Sequence, residues 1–221
     1  MARKSSKPSK KKKEEKIDLI PPMVMSPPPP EPLPRDLTFE KQPGTVLKEN
    51  GILFMDKKFD QENCMPLVKM IMEYNLMPPP KRPPVIHLYI NSPGGEVAYA
   101  FHLIDVIKQS SIPVYTYGMG SIASCGVLLM MSGEKGHRYL TQNTSIMSHQ
   151  YSWGAGGKEH ELYAKIKAYE FSSEKMLEHY IKCTGKSKDY IRKHLLPESD
   201  IWMTPEEAVK HGIADKVIET Y

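Results

Sequence analysis

Twice in this chain a β-like run ends in small residues and passes directly into a stretch spaced for a helix, and this pattern constrains the fold more than any other feature. His87-Leu88-Tyr89-Ile90-Asn91-Ser92-Pro93-Gly94-Gly95 is the first run, and Val97, Phe101, Ile104 and Ile107 follow it at helical steps. Val114 to Tyr117 is the second, read as a strand ending before Gly118, and the small-residue stretch Gly118-Met119-Gly120-Ser121-Ile122-Ala123-Ser124 leads from it into an apolar helix starting at Cys125. A third strand is read at Ser145 to His149. Such alternation predicts stacked βαβ units in a single α/β core.

Other elements fit around these. Val46 to Met55 reads as a strand, and Asp60 to Leu76 as a helix with Met65, Val68, Ile71, Met72 and Asn75 or Leu76 along one side. The run Pro78-Pro79-Pro80-Lys81-Arg82-Pro83-Pro84 then breaks it. The longest helical candidate runs from Lys158 to about Cys183, with Leu162, Ile166, Tyr169, Ser173, Met176 and Tyr180 at three- and four-residue steps. Thr204-Pro205-Glu206-Glu207 is a capping box with proline at the first helical position, and Gly212 ends that helix.

The 221 residues divide unevenly. Residues 44–221 form the folded domain, whereas residues 1–43 are basic and proline-rich and are expected to be a disordered tail. Residues 1–16 carry eight Lys or Arg against two Glu, a local +6, so the net +4 of the chain leaves −2 for residues 17–221. The body is therefore not basic, and no nucleic-acid role is expected of it, although Lys10-Lys11-Lys12-Lys13 could hold a polyanion in a salt-sensitive way. From Pro21 to Pro34 the composition favours extended polyproline II, a stiff spacer. No apolar run approaches the roughly 18 to 20 residues of a membrane span, and no secretory signal is read at the N-terminus. Cys64, Cys125 and Cys183 lie far apart without a C-x-x-C pair, which argues for reduced thiols in a cytoplasmic or equivalent reducing compartment.

The chemistry centres on Ser124. Gly120, Ala123 and Gly126 clear space around its hydroxyl, and the helix that begins at Cys125 brings free N–H groups and a positive dipole end, which suit a developing oxyanion. Small residues before an apolar helix also serve close packing, so the turn needs support from elsewhere. Ser145-Ile146-Met147-Ser148-His149-Gln150-Tyr151 gives it, by placing a histidine at the end of a short apolar strand 25 positions after Ser124. The remaining histidines form no HExxH or comparable cluster, so no metal is expected.

At these residues the chain resembles the ClpP family of self-compartmentalised serine peptidases, from about Val46 to Ile218. The resemblance rests on Tyr89-Ile90-Asn91-Ser92-Pro93-Gly94-Gly95, on Gly118-Met119-Gly120 with Ala123-Ser124-Cys125-Gly126, on Met147-Ser148-His149-Gln150, and on Thr204-Pro205-Glu206-Glu207-Ala208. It implies a ClpP/crotonase-like stacked βαβ spiral in which the long helix is a projecting handle that meets a facing ring. It also implies a catalytic triad of Ser124, His149 and Asp200, with the backbone N–H groups of Gly95 and Cys125 as oxyanion donors. Asp200 is the match because it lies just before an aromatic residue and the final helix; read alone, it could equally be a turn or cap. Gly154-Ala155-Gly156-Gly157 resembles the glycine-containing strand that lines the peptide cleft.

Further implications are unfolded protein or peptide substrates, self-assembly into rings, heptameric and in some members stacked in pairs, and an AAA+ unfoldase as partner. ATP belongs to that partner, since this chain carries no G-x-x-x-x-G-K-[ST] loop and no cofactor of its own is expected. Three features depart from the family pattern: Ser199 where many relatives have an arginine that pairs across the ring contact, the Lys- and Pro-rich N-terminal segment, and the lengthened connection Pro78–Pro84. These suit a divergent member, plastid-, plasmid- or phage-encoded. They leave open a phage head maturation protease acting on capsid or scaffold, a non-catalytic ring subunit, and a crotonase-type acyl-CoA enzyme.

Overall fold

A computed structural model describes residues 44–219; the basic run and the proline tract lie outside them, as does the expectation of a disordered tail. The element order is α1 (Thr45–Glu49), β1 (Ile52–Met55), α2 (Gln61–Leu76), β2 (Ile86–Ser92), α3 (Val97–Gln109), β3 (Val114–Ala123), α4 (Cys125–Met131), β4 (Arg138–Thr141), β5 (Ser145–Ser148), α5 (Glu159–Thr184), α6 (Lys188–His194), β6 (Ile201–Met203), α7 (Pro205–His211) and β7 (Lys216–Ile218). The strands run β1-β2-β3-β4-β7, all parallel, with β5 parallel to β3 and β6 antiparallel to β5. The result is an α/β fold on a largely parallel sheet, as the alternation of strand and helix predicts.

β3 holds the architecture together because it serves two neighbours. Thr116–Gly118 pair with β4, and Ser121–Ala123 pair with β5. Between them the strand turns at Gly120, whose φ of +68° suits glycine far better than other residues. The strand expected to end at Tyr117 bends at these glycines instead and continues to Ala123, next to Ser124.

The core lies between the sheet and the helices α2, α3 and α4. In β2 the alternate residues Ile86, Leu88, Ile90 and Ser92 are buried, and α3 presents Ala100, Leu103, Ile104 and Ile107 against them. Every residue of α4 is buried. Such an apolar side chain contributes on the order of 1.5–3 kcal/mol when fully buried, so the helix beneath Ser124 is among the most firmly held parts of the chain. The other face of the sheet carries stacked rings, Phe54–Tyr89–Tyr117–Tyr139, with centroids 5.4, 4.7 and 5.2 Å apart.

Several expectations need correction. Val46–Glu49 is not strand: α1 occupies it, with Val46 and Leu47 exposed, and the strand starts only at Ile52 after Asn50-Gly51 turns the chain. The buried face of α2 is Cys64, Leu67, Val68, Ile71 and Tyr74, while Met72 and Leu76 face outward. The Tyr74 hydroxyl, on the buried face, donates to the Lys48 carbonyl. The sequence reading also missed β4, α6, β6 and β7, which are short. By contrast, α7 starts at the Thr204 capping box with Pro205 in its first turn and closes at Gly212, as read.

α5 is 26 residues long, about 39 Å at 1.5 Å per residue. Its buried residues, Met176, Leu177, His179 and Tyr180, are confined to the second half, and Tyr163, Ile166 and Phe171 in the first half are exposed. No helix among the described residues is long and apolar enough to cross a membrane.

Candidate active site

Ser124 caps α4 with φ 55° and ψ −119°, and among the described residues it is the only non-glycine at positive φ. Such a conformation costs on the order of 1–3 kcal/mol and persists only where its surroundings enforce it. Here they do. The Ser124 N–H donates to the Met147 carbonyl at 2.9 Å, and the Ser124 carbonyl accepts from the Val127 N–H at 2.9 Å. The parallel register, Ala123 opposite Met147, then brings the residues beyond the two strands side by side. That explains how a histidine 25 positions away reaches the serine: His149 Nε2 lies 2.8 Å from Ser124 Oγ.

A serine hydroxyl donates to Nε2 when the imidazole is neutral and carries its proton on Nδ1. Nδ1 therefore calls for an acceptor. β6 pairs with β5 through Ile146–Met203, Met147–Trp202 and Ser148–Ile201, and one step further along this register sets His149 across from Asp200. Asp200 is exposed, and no hydrogen bond joins it to His149 among the described residues. The structure thus joins Ser124 and His149 directly and places Asp200 on the neighbouring chain segment.

On the side of Ser124 that faces Gly94 and Gly95, backbones approach closely. Phe59 N–H donates to the Gly94 carbonyl and Glu96 N–H to the Phe59 carbonyl, both at 2.8 Å, which clamps the segment after β2 against the entry to α2. A Cβ on Gly94 would come within 2.6 Å of Ser124 Cβ, and one on Gly95 within 2.5 Å of the Phe59 carbonyl oxygen, so both positions exclude side chains. Among the described residues neither the Gly95 nor the Cys125 N–H donates a hydrogen bond, the latter because it opens α4.

The thiol of Cys125, next to the serine, donates to the Gly95 carbonyl at 3.2 Å. Burial pushes this thiol up to about 11, so it is a neutral donor at physiological pH rather than a nucleophile. Among the described residues the three cysteines are free, and no three His, Cys, Asp or Glu side chains come together as a metal-binding group.

Two buried hydrogen-bond sets behind the dyad were not read from the sequence. The Ser148 Oγ, fully buried, lies 2.7 Å from the Tyr180 hydroxyl and donates to the Leu195 carbonyl at 2.6 Å, tying β5 to α5 and to the end of α6. His179 Nε2 lies 2.9 Å from the Leu128 carbonyl, tying α5 to α4; burial lowers its pKa below the ordinary histidine value. Ser148 stood within a motif and Tyr180 within a helical periodicity, but nothing in either pattern says that they meet.

Beyond His149 the chain changes character. Gln150 still anchors, its amide donating to the Leu196 carbonyl at 3.1 Å, and Tyr151 and Trp153 stack on Tyr169 of α5 at 5.5 and 5.0 Å. The segment containing Gly154–Gly157, however, forms no strand and pairs with none. The expected cleft strand is therefore corrected to an irregular segment: with three glycines in four residues and no ladder partner in one chain, it has nothing to hold it extended.

The family model for Clp protease matches residues 40–221. The chain is 33% identical over 187 residues to the ATP-dependent Clp protease proteolytic subunit 1 of Corynebacterium jeikeium, covering 85% of this chain and 94% of that one. It is 34% identical over 175 residues to the ATP-dependent Clp protease proteolytic subunit 2 of Corynebacterium diphtheriae, covering 79% and 85%. A further subunit 2, from Corynebacterium glutamicum, is 33% identical over 172 residues, with 78% and 83% covered.

Proposed function

Because this chain belongs to the Clp protease family, we propose that it is a serine endopeptidase that works as a ring and hydrolyses unfolded polypeptides through Ser124, His149 and Asp200. The observation that carries the reading is the 2.8 Å contact between the strained Ser124 and His149 Nε2.

His149 takes the serine proton as Ser124 Oγ attacks the scissile carbonyl, and the oxyanion that forms accepts from the N–H groups of Gly95 and Cys125. The C–N bond then breaks as His149 returns that proton to the leaving amine, leaving an acyl-Ser124 ester. Water, deprotonated by the same imidazole, hydrolyses it. Asp200 holds the Nδ1 proton and stabilises the imidazolium, which requires residues 198–200 to close by a short distance on His149. Docking of a neighbouring copy against the exposed first half of α5 and residues 150–157 supplies that closure. Short peptides enter the resulting chamber unaided, and folded proteins require an AAA+ unfoldase that uses ATP.

Hydrolysis of a short fluorogenic peptide without nucleotide tests this. Ser124→Ala and His149→Ala each lower kcat by roughly a million-fold, as removal of one member of a cooperating set does. Activity surviving in Ser124→Ala refutes the assignment.

A further inference from the structure

His149 stands one residue beyond β5, where the sheet no longer holds the chain. The β3–β5 pairing ends at Ala123 opposite Met147, and the β5–β6 pairing at Ser148 opposite Ile201. Among the described residues the only hydrogen bond of the imidazole is its 2.8 Å contact with Ser124, so no second bond on the ring keeps it turned that way. Its aim depends on how its two neighbours in the chain are held.

Both neighbours are anchored by their side chains. Ser148 Oγ, 0% exposed, donates to the Leu195 carbonyl at 2.6 Å, and the Gln150 amide donates to the Leu196 carbonyl at 3.1 Å. These consecutive residues are themselves fixed, since the N–H groups of Leu195 and Leu196 both donate to the Ile191 carbonyl at 2.8 Å. From Leu196 the chain runs on to Asp200, so the anchor for His149 sits on the segment that leads to the carboxylate.

The hydroxyl chain has one direction. A carbonyl only accepts, so the single Ser148 proton goes to Leu195, and the Tyr180 hydroxyl, 2.7 Å away, gives its own proton to Ser148 Oγ. Tyr180 is 1% exposed, and burial raises its pKa well above the ordinary tyrosine value, so it stays a donor. Moving Ser148 out of this position leaves two buried polar groups without partners, which costs more than the net worth of either bond. A buried hydroxyl can also serve packing alone, and Thr116 supplies the comparison. It too is 0% exposed and donates to a carbonyl, that of Met130 at 2.9 Å, but it lies earlier on β3 and adjoins neither Ser124 nor His149.

We propose that Ser148 is a positioning residue for peptide hydrolysis: directed by Tyr180 and seated on Leu195, its hydroxyl sets the end of β5 so that His149 Nε2 stays in line with Ser124 Oγ. The proposal rests on Ser124 and His149 acting as nucleophile and base.

The test compares full-length variants for kcat and KM on a short fluorogenic peptide, for particle size by light scattering and for denaturant midpoint. Ser148→Ala lowers kcat by about a hundredfold, the cost of misplacing a reacting group by roughly 1 Å, with KM within about twofold of wild type. Tyr180→Phe keeps the ring and the Ser148–Leu195 bond; it lowers kcat in the same way by about three- to tenfold, and it decides the test if Ser148→Ala does not assemble. Thr116→Val removes a matched buried hydroxyl, lowering the midpoint while leaving kcat within about twofold. A kcat within about twofold of wild type in Ser148→Ala or Tyr180→Phe, a rise in KM in place of the loss in kcat, or an equal loss of kcat in Thr116→Val overturns the proposal while the serine reading stands. Wild-type protein without activity, or activity retained by Ser124→Ala, overturns the serine reading and this proposal with it.

Discussion

Ser124 and His149 extend from two paired strands and meet at 2.8 Å, whereas Asp200, at the start of β6, is exposed and makes no hydrogen bond to the imidazole. The first pair is enforced within the chain: by the β3–β5 register, by the wholly buried α4, and by the Tyr180–Ser148–Leu195 set behind. The second region has short β6, an irregular segment after Gln150, and a helix half whose apolar residues Tyr163, Ile166 and Phe171 face outward. The difference teaches that the meeting of Ser124 with His149 is a product of folding within one chain, whereas nothing within the described residues brings Asp200 onto the imidazole. In the proposed ring a second copy does so.

After loss of Ser124 or His149 themselves, the largest effect separates the two regions directly. Asp200→Asn lowers kcat by about ten-thousandfold, because the wrong tautomer is then favoured at His149, yet leaves the thermal midpoint unchanged; a loss under tenfold would remove Asp200 from the mechanism. On the built side, Gly95→Ala forces a Cβ onto the Phe59 carbonyl and displaces one oxyanion donor, so kcat falls on the order of a hundred- to a thousandfold with little change in KM.

A stability change confined to the fixed region comes next. Arg138 is buried and bound by Asp215 through Nη2 at 2.6 Å and Nε at 2.9 Å. Burial alone would raise the Asp215 carboxyl, but the Arg138 guanidinium and backbone donors outweigh it and hold its pKa below the ordinary value. Asp215→Asn leaves a buried charge without its partner and costs about 3–5 kcal/mol, read as a lowered denaturant midpoint. Because the folded pKa is depressed, the pair's contribution is present above the unfolded carboxylate value near 4 and is lost as pH falls through the folded one.

His179 gives a milder pH dependence of the same sign. Its folded pKa lies below the reference value of 6.5, chiefly through burial, so unfolding takes up a proton and stability declines as pH drops below about 6.5. A thermal midpoint that is flat between pH 7 and 5.5 in wild type would contradict this. The smallest effect on stability tests the open region. Tyr163→Ser with Phe171→Ser changes the protomer's stability by less than about 1 kcal/mol in total, as exposed sites do, while reducing the particle size seen by light scattering.

The legible parts of this molecule were those set by local pattern. The helix start after Gly95, the α7 capping box and the α5 span follow from residues adjacent in sequence, whereas the meeting of Ser124 with His149, 25 positions apart, depends on the β3–β5 register. Misreadings arose where tertiary context decides. Gly118 and Gly120 looked like a strand end because nothing local says that β3 must bend to serve both β4 and β5. Met72 and Leu76 suited a helical stripe, but the face that packs on the core runs through Cys64, Leu67, Val68, Ile71 and Tyr74, and which of two overlapping stripes is buried is decided by the sheet and α3 rather than by local spacing. The Ser148–Tyr180 pair joins residues 32 apart on a strand and a helix, and no periodicity encodes that meeting.

The central claim is that Ser124 is the nucleophile of an assembled peptidase. Fluorophosphonate labelling of wild-type and Ser124→Ala protein, resolved by size-exclusion chromatography with light scattering, tests it most directly. The account predicts covalent label in a ring-sized species of the wild type and none in Ser124→Ala. Label retained by Ser124→Ala, or a ring-sized wild-type species that takes up none, would contradict it.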